Sequence, residues 1–104
     1  MIGGNQYGEL ITKELFIRWL QATVFMPALQ FSVTPWDFKD KETIEIALKF
    51  TKLHEDYSDL IIERFNLAVA KGDPVNPPIW WLDPEDKDAQ EVHDGKFISI
   101  TILL

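Results

Sequence analysis

Residues 25–38, Phe25-Met26-Pro27-Ala28-Leu29-Gln30-Phe31-Ser32-Val33-Thr34-Pro35-Trp36-Asp37-Phe38, constrain this chain more than any other stretch. Four aromatics and two prolines stand there between two helix-like segments, where a small domain ordinarily places a polar turn. Connecting segments run over the surface, in water, because a buried one must find partners for its backbone groups. A buried aromatic covers about 150–250 Å². At about 25 cal/mol per Å², leaving three of them wet forgoes on the order of 10 kcal/mol. That rivals the whole stability of a domain, about 5–15 kcal/mol. The segment is therefore expected to be a buried element or the wall of a site.

The rest of the composition narrows the class. A length of 104 residues is one ordinary domain at most. With 46% hydrophobic residues and four Trp, the chain has enough apolar surface to exclude disorder. Seventeen acidic against ten basic residues give a net charge of -7. That balance disfavours nucleic acid, whose binding rests on cationic neutralisation of phosphates, and equally an anionic membrane surface. Without Cys there is no disulfide framework and no thiolate metal site. No apolar run reaches the length of a membrane span, and Met1-Ile2-Gly3-Gly4-Asn5 lacks the basic and apolar regions of a signal peptide.

Local signals then divide the chain. Met1 to Gly8 reads as a loop or a strand tip entering a turn, on its three glycines. Thr12 is an expected N-cap for a helix to about Met26, apolar almost all round and ended by Pro27. Ala28 to Val33 suits a short buried strand. Asp40 is expected to cap one long helix to Lys71, with Gly72 as its C′ residue. Along it Ile46, Phe50, Leu53, Tyr57, Leu60, Ile61, Arg64 and Ala68 keep helical spacing. The three prolines between Asp73 and Pro78 mark a boundary or rigid connector. Ile79 to Leu82 reads as a short strand, Asp83-Pro84 as a turn, Pro84 to Val92 as an acidic stretch with a helical turn or two, and Lys96 to Leu104 as a strand.

The residues that carry chemistry are sparse. His54 and His93 have no partner at i±3 or i±4 to make a zinc clamp. Ser32, Ser58 and Ser99 lack a strand-turn-helix nucleophile elbow. Gly3-Gly4-Asn5 lacks the further glycines of a nucleotide loop. Asp83, Glu85, Asp86 and Asp88 fall in a hydrophilic run, where a raised pKa is not expected. Asp37 has the most apolar surroundings, yet Asp after Trp suits a turn or cap. Trp36, Trp80 and Trp81 could stack on sugar rings, although core or interface packing is the expectation for Trp80 and Trp81.

The order Ile2-Gly3-Gly4, Glu14-Leu15-Phe16-Ile17-Arg18-Trp19-Leu20-Gln21, Phe25-Met26-Pro27 and Pro35-Trp36 resembles glycoside hydrolase family 31. Gly72-Asp73-Pro74-Val75, Pro78-Ile79-Trp80-Trp81 and Asp94 to Phe97 continue it, so the likeness covers residues 1 to about 98. Met-Ile-Gly-Gly-Asn, and Gln-Phe-Ser followed by Pro-Trp, are most similar to its animal myogenesis-regulating subgroup. The resemblance implies an α/β fold, a partial (β/α)8 TIM barrel made of the last two β/α units (residues 1–72). This would lead into the start of a C-terminal β-sandwich (residues 73–104), and the isolated chain would be helix-rich. Leu29 to Val33 would be the eighth barrel strand, which would explain its apolar neighbours.

The activity implied is that of a retaining α-glycosidase acting on carbohydrate, with no cofactor and no metal. The family's two catalytic aspartates would lie on the fourth and sixth strands, upstream of Met1. Met1 is then expected to be an internal methionine, and the ending from Ser99 to Leu104, which departs from relatives after Phe97, a truncation. Many relatives carry Arg-x-His on the eighth strand, where this chain has Gln30 and Ser32. The expected substrate-lining residues are Asn5, Gln30, Ser32 and Trp36, and the chain alone is expected to be inactive. The competing expectation is a non-enzymatic, helix-rich interaction module that docks through the aromatic segment.

Overall fold

The computed structural model describes residues 1–4 and 8–91. The chain divides into two compact units, Met1–Ser58 and Asp59–Leu104. In the first, α1 (Lys13–Thr23) starts as its sequence predicts: the Thr12 hydroxyl accepts the Leu15 N–H at 3.2 Å, with Glu14 in the first turn. Phe16, Leu20 and Thr23, spaced four and three apart, form its buried face. Leu15 and Gln21 are exposed, so the helix buries one stripe rather than its whole circumference. It ends before Met26, with Val24 N–H on the Leu20 carbonyl and Met26 N–H on the Thr23 carbonyl. The half-buried His54 caps this end, Nδ1 donating to the Val24 carbonyl at 2.6 Å.

Ile2 and Phe31 meet in an isolated parallel bridge. The Ile2 N–H donates to Gln30 at 2.8 Å, and the Ile2 carbonyl accepts from Ser32 at 2.8 Å and Val33 at 3.1 Å. The pairing stops at once, because Gly3 turns away at φ +77° and Ser32-Val33 bends. Ile2, Phe16, Leu20 and Ala47 form the buried centre, with Leu29, Phe31, Val33, Phe38 and Phe50 packed against it. Phe16 stacks on Phe31 at 6.0 Å and meets Phe38 at 4.8 Å. The aromatic segment is thus partly core.

Pro35–Phe38 is a 3-10 turn that leads through Lys39, in the left-handed region at φ 51°, to the Asp40 cap of α2 (Lys41–Asp56). The helix expected to run from Asp40 to Lys71 breaks at Tyr57 (φ -101°, ψ 8°), and α3 (Ser58–Lys71) follows. Ser58 favours helix starts over interiors, because its hydroxyl competes for backbone groups. The hydrophobic spacing carries on past Tyr57, so the break is silent in the periodicity.

In the second unit, α3 ends as expected on Gly72 (φ +81°), whose N–H reaches the Ala68 carbonyl at 2.8 Å. Ile79 to Leu82, expected as a strand, instead forms a 3-10 turn over Ile79–Trp81, held by Trp81 N–H on the Pro78 carbonyl at 3.0 Å. Pro78 before it sets an extended entry and the chain then closes on itself, leaving no partner strand. The Asp83-Pro84 turn and the short α4 (Lys87–Glu91) follow, with Asp86 Oδ1 accepting from Asp88 and Ala89. The strand expected over 96–104 lies outside the described residues.

Among the described residues there is no strand, no sheet and no barrel. The helix-rich architecture corrects the expectation of a partial (β/α)8 barrel running into a β-sandwich. A strand persists when neighbours take up its N–H and C=O groups on successive residues. Here the expected Ala28–Val33 strand finds one bridge, at Phe31.

Candidate functional site

Three of the four expected substrate-lining residues, Gln30, Ser32 and Trp36, fall on the segment that leads through the bridge at Phe31 to α2; Asn5 lies outside the described residues. Gln30 and Ser32 are exposed on either side of Phe31, which turns inward onto Phe16. In extended backbone, residues two apart share a face, so the bridge that half-buries Phe31 turns Gln30 and Ser32 to solvent together. Their backbone groups hold Ile2, which leaves both amide and hydroxyl side chains outward.

Trp36 stands at 66% exposure although Pro35 beside it is buried. It walls a cavity of about 320 Å³ with Phe31, Pro35, Ile44, Ala47, Leu48 and Thr51. Ile44, Leu48 and Thr51 follow each other by four and three on α2, one face of that helix. Sequence spacing assigned the inner face to Ile46, Phe50 and Leu53 and passed over this second stripe. Its signal is present in the same i, i+4, i+7 pattern, but a 3.6-residue period with apolar residues on two faces does not say which one is covered. The Thr51 hydroxyl is engaged with the Ala47 and Leu48 carbonyls at 2.9 and 3.0 Å. The cavity therefore presents carbon, and it can seat an apolar or flat surface but cannot move a proton.

The nearby carboxylates confirm this. Asp37 Oδ2 accepts the Thr34 N–H at 2.7 Å and the Thr34 hydroxyl at 2.8 Å, and these bonds hold its carboxyl below the ordinary range. Asp40 accepts from the Lys13 ammonium at 2.5 Å and from Thr43, which lowers its pKa to about 2. Asp37, the third residue of the capping box begun by Thr34, and Asp40, the cap of α2, are both kept ionised, the opposite of a general acid, which needs a raised pKa. Asp37 is thus the turn residue that its place after Trp36 suggests.

A second hollow, about 510 Å³ and open, lies along α1 beside Lys13, Glu14, Ile17, Arg18 and Gln21. Its cations are already paired, Arg18 with Glu14 at 2.7 Å and Lys13 with Asp40 and Glu42. No group of three His, Cys, Asp or Glu able to hold a metal occurs among the described residues, and no helix among them is long and apolar enough to cross a membrane. Trp80 and Trp81, expected in a core or interface, are exposed and lean on each other at 5.8 Å.

No protein-family model matches the chain, and no solved structure does. The chain is similar to the mouse (Mus musculus) protein named myogenesis-regulating glycosidase, at 37% identity over 114 aligned positions that take in all of this chain and 16% of that protein. It is also similar, at 28% identity over 106 positions, to the SITS-binding protein of Tetronarce californica, again over the whole chain and 15% of the relative. The chain thus spans about a sixth of the length of these relatives. The likeness to the myogenesis-regulating glycosidase takes in the whole chain, and with it the bridge, the Trp36 wall and both capped helices.

Proposed function

We propose that this chain is a segment of a retaining α-glycosidase of the family 31 type, and that the full-length protein hydrolyses an α-glycosidic bond through a covalent glycosyl-enzyme intermediate. The identity of 37% along the whole chain to a relative named as a glycosidase carries this reading. Asn5, Gln30, Ser32 and Trp36 line the substrate: the amide and hydroxyl groups meet sugar hydroxyls, and the indole offers a flat apolar face to the ring. The nucleophile and the general acid/base come from elsewhere in the parent: the lowered pKa of Asp37 and Asp40 makes them unsuited as the acid, and one oxygen of each is taken up by Thr34 or by Lys13 and Thr43 rather than aimed at a substrate. The chain alone is then inactive.

Two measurements test this. The purified 104-residue chain, given aryl α-glycosides, is expected to release no phenol above the blank, and turnover would place the chemistry here. The second uses the mouse relative with this chain in place of its matching segment. There Trp36→Ala and Gln30→Ala are expected to raise KM for an α-glycoside several-fold, and unchanged kinetics would remove both from the substrate wall.

A further inference from the structure

The outer side of α3 carries a stripe that its own unit leaves bare. Ile62, Phe65 and Val69 are 57%, 50% and 76% exposed and stand three and four residues apart, so they form one continuous row. The buried and half-buried residues Ile61, Arg64 and Ala68 lie on a different face. Three large apolar side chains in line on one helix are the anchor pattern of a helix-in-groove contact rather than scattered surface residues.

The adjoining row, Asp59, Glu63 and Asn66, is also exposed. In α1 and α2 the acids are ion-paired, Glu14 with Arg18, Glu45 with Lys41, Glu55 and Asp56 with Lys52, and Glu42, like the Asp40 cap, with Lys13. Asp59 and Glu63 have no cation among the described residues, and no Lys or Arg of α3 stands three or four residues from either. Two unpaired carboxylates therefore flank the stripe along one edge. A second copy of this chain would bring the same acidic edge and a net charge of -7 to the contact, which like-charge repulsion opposes.

We infer that the Ile62–Phe65–Val69 face of α3 is a docking surface for an amphipathic helix whose apolar row is flanked by Lys or Arg. The apolar row supplies the contact area, and the cations meet Asp59 and Glu63, which sets partner and orientation. This stands independently of the glycosidase reading, because none of these residues belongs to the Trp36 wall.

The test titrates the full 104-residue chain into a fluorescent model helix with a Leu row at i, i+3, i+4 and i+7 and Lys flanks, and into the same peptide with Glu flanks, reading anisotropy. Saturable binding of the Lys-flanked peptide is expected, at least about tenfold tighter than of the Glu-flanked one, a difference of about 1.4 kcal/mol. Phe65→Ser and Val69→Ser, both at exposed positions, should each weaken it severalfold while circular dichroism stays unchanged. The pair Asp59→Lys and Glu63→Lys should transfer the preference to the Glu-flanked peptide. Absent saturation, indifference to Phe65→Ser and Val69→Ser, or a preference that survives the charge reversal would each overturn the inference, the last by tracing binding to overall acidity. A Phe65-dependent homodimer in sedimentation would overturn it in favour of a second copy.

Discussion

Gly3 shows how much a single residue decides here. At φ +77° it lies where L side chains are strained, and a Cβ built on it would sit 2.5 Å from Val33 Cγ2 and 2.6 Å from Val33 Cβ. The neighbour is a β-branched side chain with little freedom to move. Gly3→Ala is therefore expected to destabilise by about 2–4 kcal/mol, combining backbone strain with overpacking; a melting temperature within a degree of the parent would refute it. Thr12→Ala should remove the α1 cap and cost about 1 kcal/mol in denaturant unfolding. Asp40 reports on pH. Its folded pKa of about 2 lies below the ordinary 3.8, so the folded state binds fewer protons than the unfolded one between those values. Its stabilisation is complete above pH 3.8 and is lost as pH falls through 2. The Lys13 ammonium, raised by Asp40 and Glu42, keeps its part until pH rises above 10.5. Melting of Asp40→Asn should thus trail the parent at pH 7 and converge with it towards pH 2; a gap constant across that range would show that the carboxylate is not the source.

Elements were unevenly legible. The start of α1 at Thr12, the start of α2 at Asp40 and the stop of α3 at Gly72 are set by neighbours within four residues, so short-range chemistry reveals them. The break at Tyr57 is not of that kind: no Pro or Gly marks it, and the apolar period runs through it. Ile79 to Leu82, a run of bulky apolar residues, has strand propensity but forms a 3-10 turn, because propensity in a strand is largely packing against cross-strand neighbours. The aromatic segment answers to both descriptions given of it: Phe31 and Phe38 enter the core around Phe16, while Trp36 walls a cavity. Phe16 holds that arrangement, fully buried between two rings. Phe16→Ala is expected to cost about 3–5 kcal/mol, enough to leave α1 without stable packing. Retention of a cooperative transition within about 1 kcal/mol of the parent would show that the ring cluster is not the centre of the unit.

At the scale of the whole molecule, charge and exposed apolar surface act together. The chain carries a net charge of -7 at pH 7 and a pI near 4.6, and it exposes Trp36, Leu48, Phe65, Val69, Trp80 and Trp81. Repulsion keeps such surfaces apart only while the charge is large. Light scattering is expected to rise sharply as pH approaches 4.6 and to fall again at neutral pH; monodisperse solutions at both would mean that these side chains are better covered than their exposure indicates. The likeness to the myogenesis-regulating glycosidase was legible before any fold was known, because motif blocks in order survive in the residues themselves. Cap positions and the turn role of Asp37 followed from local chemistry in the same way. Whether Ala28–Val33 pairs into a sheet, which of two apolar faces of α2 is covered, and where the long helix breaks were decided only in three dimensions. Each of those depends on which distant side chain or backbone group arrives to complete the contact, and a hydrophobic period specifies a face without specifying what meets it.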